Sequence, residues 1–106
     1  MLMRFIAGLG LLISVSQTAL ASEWRYCLAP SEDEHKVYFS GAFATSADAW
    51  STDHSFELVL AQAALRYDDV QCPRADDERS IQIMRRDAVS FNQTAGNQIV
   101  NLNWKP

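Results

Sequence analysis

Apolar residues recur at every second position over the segments 23–28 and 37–43, which is typical of extended strands. In residues 23–28, Trp24, Tyr26 and Leu28 share one face and alternate with polar or small side chains. An acidic turn at 31–34 follows, and the next segment alternates again. One face of that segment carries Val37, Phe39, Gly41 and Phe43. The pattern predicts two strands joined as a β-hairpin.

Two later segments carry apolar residues at helical spacing. The first helix is expected to begin at Ser51 or Asp53. Its apolar stripe consists of Phe56, Val59, Leu60, Ala63 and Tyr67. The second helix follows the acidic run 76–78, which suits the positive end of a helix dipole. Its stripe consists of Ile81, Met84, Ala88, Phe91 and Ala95, and Gly96 is expected to end it in a left-handed conformation.

Two further strands complete the predicted fold. Residues 70–72, closed by Pro73, predict an abbreviated third strand, and the alternation over 98–104 predicts a last one. The predicted order is ββαβαβ, an α/β (α+β two-layer) fold with a mixed four-stranded sheet and both helices packed on one face. The two strand–helix–strand connections are expected to be right-handed and to join parallel strands.

Residues 1–21 have the features of a signal peptide. Arg4 precedes a mostly apolar run over 5–15, and Ala19 and Ala21 provide the small residues of a signal-peptidase site. The apolar run is too short for a permanent anchor, because a membrane-spanning helix needs about 20 residues. We therefore expect cleavage after Ala21 and one small domain at 22–106, located in the periplasm or secreted.

The chain contains two cysteines, Cys27 and Cys72. An even number in an oxidising compartment favours one intramolecular disulfide, which a domain of this size needs for stability. Neither cysteine belongs to a CxxC motif, so we expect a structural bridge and not a zinc or redox site.

The charge balance is acidic, with 13 Asp and Glu against 9 Lys and Arg. This balance argues against nucleic acid and anionic lipid as partners, because both select for an excess of Lys and Arg. A cationic partner remains compatible with it. The ordinary alternative is that the negative charge keeps an exported protein soluble.

The two histidines are the places where catalysis is conceivable. His35 follows the acidic residues 32–34, and His54 lies in the trio Asp53-His54-Ser55. Adjacent side chains point in diverging directions, whereas a catalytic or metal site needs convergent groups. No catalytic, cofactor-binding or metal residue is therefore assigned. A small exported hydrolase using His35 or His54 with a neighbouring carboxylate is kept as an alternative function.

Candidate interface residues come from both helices. Leu58, Ala61 and Leu65 lie about 180° from the main stripe of the first helix, so this helix is apolar on two sides. Arg79 and Arg86, seven residues apart on the second helix, are placed to receive an acidic group. The alternative is that Leu58 and Leu65 pack inside the monomer, beneath the Trp50 segment or against Ile83.

The function expected from these observations is that of a noncatalytic protein-interaction or accessory module, which binds an exported or envelope protein or a second copy. A small-ligand carrier is a further alternative. It would use the sheet face not covered by helices, where we expect the side chains of Arg25, Tyr38, Ser40, Asn101 and Asn103.

Overall fold

The computed structural model describes residues 22–106. The predicted signal peptide and its cleavage site lie outside the described residues. The chain forms β1 (Glu23–Arg25), β2 (Leu28–Ser31), β3 (Lys36–Phe39), β4 (Phe43–Thr45), α1 (Ala49–Gln62), β5 (Arg74–Ala75), α2 (Glu78–Thr94) and β6 (Gln98–Asn101). The α+β class, the two helices and the single disulfide are as predicted.

The strands form two three-stranded sheets, in the orders β4-β1-β5 and β2-β3-β6. The prediction of one four-stranded sheet with order ββαβαβ is therefore wrong. Among the described strands that pair directly, only β3 and β6 pair in parallel, with Val37 opposite Ile99. Residues 70–72 provide a single bridge, in which Gln71 and Leu28 exchange backbone hydrogen bonds of 2.8 and 3.0 Å. The strand that follows, β5, pairs antiparallel with β1.

The predicted hairpin is present, but a β-bulge divides each of its arms into two strands. Leu28 pairs with Phe39 and Arg25 pairs with Phe43, so two residues on the first arm oppose the three residues 40–42 on the second. One inserted residue reverses the alternation of side chains beyond it. Phe43 therefore lies on the opposite face from Phe39, and the prediction that both share one face is wrong.

The two helices cover opposite faces of the hairpin, which corrects the prediction that both pack on one face. Phe56 and Leu60 of α1 lie in the first core cluster, together with Cys27, Ala29, Tyr38, Phe43, Val70 and Cys72. Ile81 of α2 lies in the second core cluster, together with Tyr26, Val37, Phe39 and Ala42. Neighbouring residues of β3 thus belong to different clusters, because side chains alternate across a strand.

Because one helix covers each face of the hairpin, most of the polar sheet face that was expected to remain open is covered. Arg25, Tyr38 and Ser40 are 6%, 3% and 0% exposed, respectively, whereas Asn101 and Asn103 are exposed. Three of the five side chains expected to bind a small ligand on this face are therefore not accessible to it.

Helix α1 begins earlier than predicted, because Asp48 caps it. The Asp48 carboxylate accepts a hydrogen bond of 2.7 Å from the Ser51 amide. At the other end, the Leu65 amide donates to the Leu60 carbonyl and the Ala64 amide donates to the Ala61 carbonyl. This is a Schellman motif, and it places Ala64 at φ 56°, in the left-handed region.

Helix α2 begins and ends where the sequence predicts. Asp77 accepts from the Ser80 amide at 2.8 Å, and Gly96 adopts φ 91° directly after the C-cap. The predicted apolar stripe is only partly buried, since Met84 and Phe91 are 37% and 72% exposed. The side that faces the second core cluster instead carries Ile81, Arg85, Ala88 and Val89.

Candidate functional site

The Cys27–Cys72 disulfide is confirmed, and it links the hairpin to the segment that follows α1. Both cysteines are buried in the first core cluster. The buried Arg25 donates to the Cys72 carbonyl at 2.7 Å and forms an ion pair with Glu23. Hydrogen bonds from Arg74 and then Arg25 hold the pKa of the Glu23 carboxyl below its ordinary value. This end of the molecule is a structural network of hydrogen bonds and ion pairs around Arg25 and Glu23.

His35 lies in the exposed turn between β2 and β3, where it adopts φ 55°. Its amide donates to the Glu32 carbonyl at 3.1 Å, and its carbonyl accepts from the Gln98 amide at 2.8 Å. His35 thus joins the turn to the start of β6 through its backbone. Over residues 22–106, no group of three His, Cys, Asp or Glu side chains is placed to hold a metal ion.

His54 lies on the exposed side of α1 and stacks on Trp50, with ring centroids 5.1 Å apart and ring planes 12° apart. Its Nδ1 is 3.7 Å from a carboxylate oxygen of Glu57, one turn further along. The sequence neighbours Asp53 and Ser55 leave the helix about 100° to either side of His54. The histidine is therefore part of a surface stack beside a carboxylate, and no described hydrogen bond joins it to Ser55.

The exposed side of α1 is apolar along most of its length. We call it the α1 outer face, and it consists of Trp50, His54, Glu57, Leu58 and Ala61. Trp50 is 72% exposed and Leu58 is 49% exposed, although the other side of the same helix lies in the first core cluster. Of the candidate interface residues, Leu58 and Ala61 lie together on this face. Leu65 lies past the helix end, half-buried against the first core cluster.

Trp50 was not among the residues predicted to form an interface. The signal that could have found it is its spacing from Leu58, since residues eight apart lie about 80° from each other around a helix and so share one side of it. A helix that begins after Trp50 leaves the Trp50 segment free to fold over Leu58, which is the alternative given by the sequence. The cap at Asp48 brings Trp50 into the first turn of α1 and onto the same face as Leu58.

The remaining candidates, Arg79 and Arg86, lie on the exposed side of α2. With Gln82 and Ile83 they line an open depression of about 430 Å³, and we call these four residues the α2 outer face. Because the helices cover opposite faces of the hairpin, the α1 and α2 outer faces point away from each other. The structure therefore does not bring the five candidate interface residues into one surface.

The two outer faces differ in charge. Helix α1 contains Asp53 and Glu57 and no Lys or Arg. Partial burial raises the pKa of the Asp53 carboxyl, which lies at the margin of the face. The α2 outer face carries two arginines, and within residues 22–106 the only ion pair that either forms is that of Arg86 with Asp87, at 3.4 Å. One face is thus apolar and acidic, and the other is basic with Ile83 between its arginines.

Comparison of the chain with protein-family models, curated proteins and solved structures finds no match. Within residues 22–106, neither helix has the length and apolar character required to cross a membrane.

Proposed function

We propose that this chain is an exported, noncatalytic protein-interaction or accessory module that binds its partner through the α1 outer face. The observation that carries the proposal is the exposure of Trp50 and Leu58 on a helix whose opposite side buries Phe56 and Leu60 in the core. Exposed apolar residues grouped on one side of a small domain tend to mark interaction surfaces.

The α1 outer face suits binding because its largest side chain packs against a neighbour. Trp50 stacks on His54, and this contact reduces the conformational entropy that Trp50 loses when a partner covers it. Tryptophan is also enriched among the residues that contribute most to protein interfaces. Burial of Trp50 and Leu58 would contribute about 25 cal/mol for each Å² of apolar surface removed from water.

Location outside the cytosol is the second part of the proposal. A buried disulfide between residues 45 positions apart is compatible with an oxidising compartment. Intact-mass measurement of the protein from its native host tests this part. We expect an amino terminus at Ser22 and a mass lower by two hydrogens than that of the dithiol form. An unprocessed amino terminus with two free thiols would contradict export.

The interaction itself is tested by site-specific photocrosslinking in the exported fraction of the host. A photoreactive residue at position 58 is compared with one at position 33, an exposed turn residue whose side chain is 81% accessible. We expect crosslinked protein from position 58 only, and its loss in a Trp50→Ala variant that keeps its disulfide and melting temperature. Equal crosslinking from both positions, or none from position 58, would refute the proposal.

A further inference from the structure

We infer that the α1 outer face of one copy binds the α2 outer face of a second copy, so that molecules associate head to tail. This inference rests on the proposed function and names the partner as another copy of this chain. Both surfaces are present in each molecule, but they lie on opposite sides of the hairpin. One molecule therefore cannot cover its own α1 outer face with its own α2.

Charge complementarity favours this pairing. Glu57 precedes Leu58 on the α1 outer face, and its carboxylate lies 3.7 Å from Nδ1 of His54. On the other surface, Arg79 and Arg86 lie on either side of Ile83. Placing Leu58 against Ile83 brings the acidic margin of α1 to these arginines. Complementary charge around an apolar centre sets the orientation of an interface and rejects other partners.

A symmetric pairing of two α1 outer faces is disfavoured by the same charges. It would place Glu57 of one copy near Glu57 of the other, with no Lys or Arg on α1 to compensate. Like charges brought together at an interface are destabilising. The head-to-tail arrangement avoids this repulsion and buries an apolar residue from each helix.

A head-to-tail contact does not close after two molecules. Each dimer still has one free face of each kind, so association continues to longer chains or to a ring. Two helix faces form a small interface, and contacts at the low end of the size range are weak, with dissociation constants on the order of micromolar to millimolar. The protein must therefore be studied at high concentration.

The test uses the mature domain, residues 22–106, with its disulfide formed, in sedimentation equilibrium from about 10 μM to about 1 mM. We expect the average mass to rise with concentration beyond that of a dimer. Leu58→Arg and Arg86→Glu should each abolish this rise, since each removes one of the two surfaces. Arg66→Glu makes the same charge change at another exposed arginine, 72% accessible, and should leave association unchanged.

The decisive measurement is an equimolar mixture of the Leu58→Arg and Arg86→Glu variants. The Arg86→Glu protein retains its α1 outer face, and the Leu58→Arg protein retains its α2 outer face. We expect the mixture to form a complex of one copy of each and to grow no further. A mixture that stays monomeric overturns the inference, as does an Arg86→Glu protein that associates like the wild type.

Salt provides an independent check. Residues 22–106 keep all 13 acidic residues of the chain and lack Arg4, so two copies repel one another overall. If the charged faces attract as inferred, added salt should weaken association; association strengthened by salt would overturn the inference. A wild-type protein that is monomeric at every concentration also overturns it. In that case crosslinking from position 58 still decides the proposed function, because it detects any protein partner.

Discussion

Ser40 and Cys27 face each other across the β-bulge and are joined by two hydrogen bonds. The Ser40 amide donates to the Cys27 carbonyl at 2.9 Å, and the Cys27 amide donates to the Ser40 hydroxyl oxygen at 2.8 Å. A side-chain oxygen thus replaces the backbone carbonyl that a regular ladder would supply. Both residues are fully buried, so water cannot take over either bond.

Ser40→Ala should lower the free energy of unfolding by about 1–3 kcal/mol, because the buried Cys27 amide loses its acceptor. Urea unfolding of the oxidised domain measures the change. Ser90→Ala, at an exposed position of α2, is the matched control and should change stability by less than about 0.5 kcal/mol. Equal effects of the two substitutions would show that the serine hydroxyl does not support the bulge.

Two adjacent arginines of α2 should respond differently to the same substitution. Arg85 donates to the Ser40 carbonyl at 2.8 Å and to Asn101 at 2.7 Å, and its guanidinium lies 5.4 Å from the centre of the Phe39 ring. Arg85→Met should therefore destabilise the domain by about 2 kcal/mol, since charge-assisted hydrogen bonds are lost. Arg86 is 72% accessible, and Arg86→Met should cost less than about 0.5 kcal/mol. Comparable unfolding midpoints for the two variants would show that the hydrogen bonds of Arg85 do not stabilise the domain.

The two helix ends predict opposite effects of exchanging Ala and Gly. Ala64 adopts φ 56°, where a side chain is strained, and Ala64→Gly should stabilise the domain by roughly 0.5 kcal/mol after the entropy of Gly is counted. Gly96 adopts φ 91° with nothing within 4 Å of an added Cβ, so Gly96→Ala should destabilise it by about 1 kcal/mol through backbone strain alone. Thermal unfolding checks both signs, and a lower melting temperature for Ala64→Gly would contradict the first.

Stability should fall as the solution becomes acidic. Hydrogen bonds from the amides of Ser51 and Ser80 lower the pKa of Asp48 and Asp77, respectively, and Arg74 lowers that of Glu23. A carboxyl whose pKa is lowered in the folded state stabilises it above the unfolded pKa and loses this contribution as the pH falls through the folded value. The loss is expected below about pH 4.

Asp77→Asn tests the contribution of one of these caps to the acid response. Asparagine is also a good N-cap and keeps the acceptor for the Ser80 amide, but it does not titrate. We expect a shallower decrease of the unfolding midpoint in acid than in the wild type. An unchanged pH profile would show that Asp77 contributes nothing to acid sensitivity.

Local signals in the sequence predicted several features correctly. The even pair of cysteines predicted the disulfide, and the acidic run at 76–78 and Gly96 predicted both ends of α2. The alternation over 23–28 and 37–43 predicted the hairpin. Each of these features depends on residues close in sequence or on the pairing of the only two cysteines, so little knowledge of the tertiary arrangement was needed.

Local sequence signals could not predict which side of each helix or strand packs against the core. Periodicity identifies an apolar stripe but not what covers it, and in α2 the covered side is shifted toward Arg85, which leaves Met84 and Phe91 exposed. The bulge moved Phe43 to the face opposite Phe39, and the two helices cover opposite faces of the hairpin. Gly41, isolated within a strand pattern, was the available indication of a bulge. The interface residues themselves remain predictions.

The bulge residues 40–42, which lie opposite Tyr26 and Cys27, make the fold sensitive to a deletion in this part of the hairpin. Removal of one residue between Ser40 and Ala42 would restore an even count and turn every side chain beyond it toward the other helix. Phe43 would then leave the neighbourhood of Trp104, whose ring it meets edge-on at 5.8 Å. Substitutions along the hairpin change single contacts, whereas a one-residue deletion there would move the β4 side chains from one hydrophobic layer to the other.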